Sequence, residues 1–272
     1  MAIASRRVRT VALAALAATS LGLTASPQAN AAVTYTLPPV NAQFDYQIGG
    51  AYTPPSGVQV VSRDRKAAPA AGLYNICYIN AFQVQPDEVT WWEQNHDDLL
   101  LKDDNGDYVV DGDWDEILLD TSTAAKRSAL TTIMGTWMDG CRTAGYLAIE
   151  PDNIDSYDRS ADLLTIDDAV AYLQSLASRA HGDGLAIAQK NDTDLGTDGR
   201  DAGLDFALAE ECGRYGECGD FTDVYGAHVI DIEYRAADFT KACNAVGASI
   251  SVVRRDVDVT APGSGTYVYG AC

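Results

Sequence analysis

The stretch AIEPDNIDSY, residues 148–157, brings three acidic side chains close together. Two apolar residues lead directly into Glu150, and two aspartates follow. The segment FALAEEC, residues 206–212, also runs from apolar residues into a pair of glutamates. Two carboxyl groups facing one another across a pocket are what glycoside hydrolysis needs, because one protonates the leaving oxygen while the other attacks or stabilises the anomeric carbon. Repulsion between such groups helps, since it raises the pKa of the proton donor.

Other kinds of chemistry find little support in the sequence. The three histidines, His96, His181 and His228, form neither an H-E-x-x-H nor an H-x-H pattern, so a histidine-based zinc site is not expected. There is no G-x-S-x-G elbow of a serine hydrolase, and no glycine-rich phosphate loop at a strand-to-helix turn. Carboxylate chemistry is what remains.

Eight apolar runs of strand length must position these acids. Most are too continuously apolar for half-exposed antiparallel strands and are typical of strands buried on both faces. Helical patterns lie between several of them, for example after a cap at Thr121 or Ser122 and after a cap at Thr165. The alternation predicts an α/β fold, a single (β/α)8 barrel of the TIM type, with a doubly wound open sheet as the second possibility. The eight runs are residues 44–50, 58–64, 73–80, 146–153, 185–191, 206–212, 228–234 and 248–256.

The longest connection joins predicted strands three and four, which makes it an insertion in the barrel. It should carry a small hairpin that turns at Asn105–Gly106. The nearby acids resemble a calcium loop only superficially, because the glycine is misplaced and no Glu stands at the twelfth position. Trp91, Trp92 and Trp114 form either a local core or flat platforms for sugar rings at the barrel mouth.

In a barrel of this kind the active site lies at the carboxyl ends of the strands. The strand ends here form a polar ring, dense in carboxylates. An alternative is that these acids pair with Arg63, Lys190 and Arg255 in a stabilising network. The ring comprises Asp45, Arg63, Asp64, Asn80, Glu150, Asp152, Lys190, Asn191, Glu210, Glu211, Glu233, Tyr234, Arg255 and Asp256.

The amino terminus resembles a secretory signal peptide over residues 1–31. Three arginines precede an apolar stretch, and Ala29-Asn30-Ala31 fits a cleavage site. We therefore expect an exported, extracellular protein in which residues 32–272 form one catalytic domain. No later stretch is long and apolar enough to predict a transmembrane helix.

The charge balance restricts the partners. The chain has 19 basic and 39 acidic side chains, and without the three arginines of the predicted signal peptide 16 basic ones remain, which gives a formal charge of −23. Nucleic acid and anionic membrane surfaces are therefore poor partners, and a cationic ligand would be attracted. Acidity also serves solubility alone. We expect a monomer.

The six cysteines all follow the predicted signal peptide, and an even number of cysteines in an exported chain predicts disulfides. Fifteen pairings are possible. Cys212 and Cys218 are near enough to close a small loop, and Cys272 would tie down the carboxyl terminus, with Cys243 as a candidate partner.

Six motifs in order along the chain give a family resemblance. They are FDYQIGGAYTPP, VVSRDR, GLYNICYINAFQ, EPDNIDSY, GLAIAQKN and FALAEECGRYGEC. The chain resembles glycoside hydrolase family 114, the endo-α-1,4-polygalactosaminidases, over nearly the whole region after residue 31. The resemblance implies a secreted (β/α)8 barrel that cleaves α-1,4-linked galactosamine polymers without a metal or organic cofactor. It also implies that Asp152 and Glu210 are the catalytic pair. By analogy with related α-galactoside-cleaving barrels, Asp152 would be the nucleophile and Glu210 the acid/base, with retention of configuration.

The same resemblance suggests how substrate is held, because a partly deacetylated galactosamine polymer is a cationic amino-sugar polysaccharide. Acidic side chains would then bind sugar amines, and tyrosines would stack on sugar faces or hydrogen-bond to hydroxyls. A polysaccharide-binding barrel without catalysis and a glycosidase for another α-galactoside are the alternatives. The substrate-binding candidates are Asp45, Tyr46, Asp64, Asn80, Glu150, Asp155, Tyr157, Lys190, Glu211, Tyr234 and Asp256.

Overall fold

The computed structural model describes residues 34–272, so the predicted signal peptide lies outside the described residues. Eight parallel strands follow one another in chain order around a barrel, each hydrogen-bonded to the next, and the first and last are in contact. A ninth strand, β12 (Tyr269–Ala271), pairs antiparallel with the eighth. The predicted (β/α)8 fold class is confirmed. The eight barrel strands are β1 Phe44–Gln47, β2 Val60–Asp64, β3 Tyr74–Asn80, β7 Ala148–Asp152, β8 Ala186–Lys190, β9 Phe206–Glu210, β10 Val229–Glu233 and β11 Ser251–Arg255.

The barrel strands are buried on both faces, which explains their continuous apolar sequence. On β9, Phe206 and Leu208 belong to the cluster that fills the barrel, whereas Ala207 and Ala209 belong to the layer beneath the helices. Successive side chains of a strand point to opposite faces. Every second residue therefore points into the barrel, and this sets which polar side chains reach its mouth.

Helices cover most of the barrel. Helix α2 (Ala124–Ala144) begins at Thr123, whose side chain accepts from the Lys126 N–H, rather than at the predicted Thr121 or Ser122. The Ser122 hydroxyl donates to Asp120 instead. Helix α3 (Ile166–Gly182) begins at Thr165 as predicted, with a reciprocal capping box to Asp168. The other helices are α1 Val89–Asn95, α4 Asp198–Asp201, α5 Cys212–Tyr215, α6 Cys218–Tyr225 and α7 Ala236–Ala245.

The segment between β3 and β7 carries a small antiparallel sheet before α2. Its strands are β4 (Gln83–Val84), β5 (Val110–Asp111) and β6 (Glu116–Leu118), with β6 in the middle. The predicted turn at Asn105–Gly106 is present, and Gly106 has a φ of 87°, a backbone conformation that favours glycine. Trp92 is buried against Trp137 and belongs to the core.

Three disulfides connect the described cysteines. The predicted pairs Cys212–Cys218 and Cys243–Cys272 are both present, and Cys77–Cys141 ties β3 to α2. Within residues 34–272, no helix has the length and apolar character needed to span a bilayer.

Candidate active site

A cleft of about 400 Å³ opens at the carboxyl ends of the barrel strands. Inward-pointing positions that are apolar deeper in the barrel become polar at this end. On β8, for example, Ala186 and Ala188 fill the barrel and Lys190 follows at the next inward position. The same alternation brings Asp152 and Glu210 into the cleft. The cleft is lined by Ile48, Gly49, Tyr78, Gln85, Trp114, Glu116, Asp152, Asn153, Asp155, Arg159, Lys190, Asn191, Glu210, Tyr234, Val257, Asp258 and Val259.

Lys190 is the central cation of the site. Its side chain is only 2 % exposed, and Nζ lies 2.9 Å from Asp152 Oδ1, 3.3 Å from Glu210 Oε2 and 3.4 Å from Glu150 Oε1. Burial opposes its charge, but these three carboxylates outweigh burial and raise the pKa of Lys190 well above its usual range. The ammonium group is therefore charged and, from β8, joins the acids of the two flanking strands β7 and β9.

Asp152 remains accessible from the cleft, with 16 % of its side chain exposed. The Tyr78 hydroxyl donates to Oδ2 at 2.8 Å, and Lys190 donates to Oδ1. Burial favours the protonated form, but the charge of Lys190 and these hydrogen bonds prevail and lower the pKa of Asp152. Asp152 is thus kept as a carboxylate, the form that a nucleophile requires.

Glu210 lies across Lys190 from Asp152, with 24 % of its side chain exposed. Asn191 Nδ2 donates to Oε2 at 2.9 Å, and the Tyr234 hydroxyl donates to Oε1. The Glu210 backbone N–H donates to Asn191 Oδ1 at 2.7 Å. Asn191 therefore fixes both the backbone and the side chain of this glutamate, while the side chain still faces the cleft.

Two predicted substrate contacts instead lie beneath the site. Glu150 is fully buried, and it accepts from the Tyr46 hydroxyl at 2.7 Å and from the Ser62 hydroxyl. Burial raises the pKa of Glu150 despite the nearby Lys190. Because Tyr46 is also fully buried and accepts from Lys190 at 3.0 Å, these two residues support Lys190 and do not touch a ligand in the cleft.

Three further predicted contacts have their oxygens occupied by other parts of the chain. Asp45 is fully buried and pairs with Arg255 at 3.2 Å, which is the stabilising role considered as the alternative. Asp256 accepts from the backbone N–H groups of Thr260 and Val268, and Asp64 accepts from the Lys66 N–H and from Gln85. None of the three lines the cleft.

The remaining candidates are divided between the cleft and its surroundings. Asp155, Lys190 and Tyr234 line the cleft. Asn80 lies just behind it and holds Glu116, which does line it. Two others lie outside the lining. Glu211 pairs with Arg214 at 2.5 Å, and the Tyr157 hydroxyl donates to Asp192 at 3.1 Å.

Tyr78 and Glu116 line the cleft but were not among the predicted binding residues. Tyr78 follows Ile76 at the next inward position of β3, so strand alternation could have found it. Glu116 and Trp114 come from the inserted segment, and no local pattern indicates that this segment reaches the barrel mouth. Trp114 is 61 % exposed and lines the cleft, as a sugar platform would, whereas Trp91 does not line it.

Outside the cleft, Glu211, Glu233 and Asp238 bring carboxylate oxygens within 4.8 Å of one another, the arrangement that most resembles a cation site among the described acids. Arg214 already supplies a positive charge to Glu211, and the backbone N–H of Arg214 donates to Glu233 at 3.1 Å. Glu211 and Glu233 therefore have structural partners around the start of α5.

Chemically, the cleft presents an ionised carboxylate and a second carboxyl group on either side of a fixed ammonium group. This arrangement suits attack on an electrophilic carbon together with proton transfer to a neighbouring oxygen. Both acids line this cleft of about 400 Å³.

The chain is similar to known glycoside hydrolases. The model of Glycoside-hydrolase family GH114 matches residues 24–272. Ega3 of Aspergillus fumigatus, solved in complex with galactosamine, is similar with a TM-score of 0.70 and 23 % identity, over 88 % of this chain and 98 % of that one. The glycoside hydrolase domain of PelA from Pseudomonas aeruginosa has a TM-score of 0.55 and 15 % identity, over 82 % of this chain and 96 % of that one. Curated protein sequences give no significant match. Because the family model covers nearly all of the chain, this protein belongs to glycoside hydrolase family GH114 and is a glycoside hydrolase.

Proposed function

We propose that this protein is a secreted, endo-acting glycosidase that cleaves α-1,4-linked galactosamine polymers with retention of configuration. The observation that carries the proposal is the contact of both Asp152 and Glu210 with Lys190 Nζ at the floor of an open cleft. Asp152 is the nucleophile and Glu210 the acid/base.

In the first step an Asp152 oxygen attacks the anomeric carbon while the bond between that carbon and the glycosidic oxygen breaks. Glu210 gives its proton to that oxygen, so the leaving sugar departs as an alcohol. In the second step Glu210 takes a proton from water, the resulting hydroxide attacks the anomeric carbon, and the bond to Asp152 breaks. The lowered pKa of Asp152 supports its role, because a protonated acid is a poor nucleophile.

The spacing of the two acids supports retention. Asp152 Oδ1 and Glu210 Oε2 both lie within 3.3 Å of Lys190 Nζ. The distance between the two carboxylate oxygens is therefore at most twice that value. Carboxyl groups of retaining enzymes are about 5–5.5 Å apart, and those of inverting enzymes about 6.5–9.5 Å. The shared lysine thus favours the closer arrangement.

The charge of the surroundings supports a cationic polymer. A smaller groove of about 180 Å³ shares Asp155, Asn191 and Glu210 with the cleft. Its other acids are Asp158, Asp192, Asp194 and Glu217. Burial and the neighbouring acids raise the pKa of Asp192 to about 6. A row of acids beyond Glu210 would hold the ammonium groups of successive sugars, as endo-cleavage requires, and the galactosamine bound to Ega3 agrees with such a substrate.

Three disulfides support secretion, since they form and persist in oxidising compartments. We further propose that residues 1–31 are the signal peptide and that residues 32–272 are the mature catalytic domain.

The direct test is to incubate residues 32–272 with purified galactosamine-rich polysaccharide and to count new reducing ends. Asp152→Asn is the matched control, since it keeps the shape and removes the charge. We expect a mixture of oligomers from the wild type and none from the control. Proton NMR at early times should show the α-anomer first if configuration is retained. Polymer retained on a column without cleavage would indicate a binding barrel, and cleavage of other α-galactosides alone would indicate a different substrate.

A further inference from the structure

Glu116 is an acid of the cleft that is supplied by the inserted sheet and not by the barrel. It begins β6, lines the cleft and is held by its Oε2 atom. Asn80 Nδ2 donates to Oε2 at 2.6 Å, and Asn153 Nδ2 lies 3.5 Å from the same oxygen. Asn80 is buried at the end of β3, so the barrel fixes one side of the Glu116 carboxylate.

The charge of Glu116 is not compensated. Asp152 and Glu210 contact Lys190, and Asp155 contacts Arg159, but Glu116 has no basic side chain within 4 Å in the described part of the chain. No residue from 34 to 272 hydrogen-bonds to its Oε1 atom. Burial raises the pKa of Glu116 to about 7. The hydrogen bond from Asn80 opposes this rise, and the charges of Asp152 and Asp111 add to it. Arg159, which also lines the cleft, pairs with Asp111 and Asp155.

A half-buried carboxylate with one fixed and one free oxygen is prepared to accept a charged donor. We propose that Glu116 is a specificity-determining residue whose Oε1 atom accepts from the ammonium group of an amino sugar bound beside Asp152, so that the cleft prefers free amines to N-acetylated sugars. Acetylation removes the positive charge, leaves one of the three N–H donors, and adds an acetyl group whose carbonyl oxygen the carboxylate repels. The inference rests on the proposed glycosidase function and extends it to the choice between these two forms of the substrate.

The test compares wild type with Glu116→Gln on defined galactosamine oligomers, either fully deacetylated or fully N-acetylated. Glutamine keeps an oxygen for Asn80 and loses the charge. On deacetylated oligomers we expect KM to rise at least about tenfold, the size of a lost charge-assisted hydrogen bond, with kcat nearly unchanged. On acetylated oligomers KM should stay the same. Asp104→Asn, which removes a charge from an exposed position of the same insertion, should change neither value.

Calorimetric binding separates this inference from the proposed function. Both oligomers are titrated into wild type, Glu116→Gln and Glu116→Asp, each first checked for an unchanged melting temperature. The inference is supported if the wild type binds the deacetylated oligomer more tightly than the acetylated one, if Glu116→Gln abolishes this preference, and if Glu116→Asp partly restores it. This holds even if no oligomer is cleaved. If Glu116→Gln weakens both oligomers equally or neither, the inference is wrong while cleavage by the wild type still upholds the proposed function. Equal binding of both oligomers by the wild type would also overturn it, without any variant.

Discussion

The carboxylates of Asp152 and Glu210 contact the same atom, Lys190 Nζ, at 2.9 and 3.3 Å. Glu150 lies 3.4 Å from it on the buried side. In the proposed mechanism, two carboxylates face one ammonium group once Glu210 has given up its proton, so the site is electronegative where positive charge develops on an anomeric carbon. Lys190 thus keeps two acids close together without cancelling their charge.

The proposed division of roles predicts different responses to the leaving group. Asp152→Asn should lower kcat by several orders of magnitude on every substrate, because no nucleophile remains. Glu210→Gln should be comparably slow on oligosaccharides and lose much less on an aryl glycoside whose leaving group needs no proton. Steady-state and single-turnover rates on the two substrate types measure this. Equal losses on both substrates for Glu210→Gln would contradict its role as the acid.

Lys190→Met should shift the pH dependence of activity. The ammonium group lowers the pKa of Asp152, so its removal should raise that pKa, and the acidic limb of the kcat/KM profile should move to higher pH. The variant also leaves buried Glu150 without its cation, and the free energy of unfolding should fall by about 3–5 kcal/mol.

The matched control is Lys66→Met, which removes the ion pairs of a more exposed lysine with Asp87 and Glu88 and should change stability by about 1 kcal/mol or less. An acidic limb that stays in place in the Lys190 variant, measured well below its melting temperature, would show that Asp152 does not depend on this lysine.

Strand alternation explains which site residues could be predicted from the sequence. The barrel was predictable because buried parallel strands leave unbroken apolar runs, and Asp152 and Glu210 were predictable because both stand where such runs end. Asp45 was expected at the barrel mouth, although strand alternation already indicates otherwise. It lies between Phe44 and Tyr46, which both point into the barrel, so its own side chain must point elsewhere.

Glu116 could not have been found in this way, and strand alternation did not decide between the two roles considered for Trp114. Both reach the cleft through a segment whose position depends on tertiary contacts, such as the hydrogen bond from Asn80 to Glu116. Two- and three-residue strands carry too little periodicity to predict which face they present.

Trp114 should matter for binding and Trp91 should not. Trp114 is 61 % exposed and lines the cleft, whereas Trp91 is 41 % exposed, packs against Trp92 and His96 and does not line the cleft. Trp114→Ala should raise KM for galactosamine oligomers about two- to fivefold, as expected for an exposed ring that contacts a charged sugar. Trp91→Ala serves as the control, with an unchanged KM. Equal effects of the two variants would argue against a platform at Trp114.

The buried acid Asp231 should make the protein less stable as the pH rises. Neither of its carboxylate oxygens has a hydrogen-bond partner among residues 34–272, and burial together with Glu233 raises its pKa from 3.8 to about 8. At a pH between these two pKa values, Asp231 keeps its proton in the folded state and releases it in the unfolded state. The stability that Asp231 contributes is therefore present at low pH and is lost as the pH rises. The slope reaches about 1.4 kcal/mol per pH unit at most.

Asp231→Asn should flatten this dependence, because an amide neither titrates nor carries the charge that burial disfavours. Urea unfolding at pH 5 and pH 8 would measure it, and we expect the variant to exceed the wild type in stability at pH 8 but not at pH 5. Asp104→Asn, which removes the same kind of charge from an exposed turn, should leave the wild-type slope intact. Parallel pH profiles for wild type and Asp231→Asn would mean that Asp231 is already ionised in the folded protein and that an unrecognised group balances its charge.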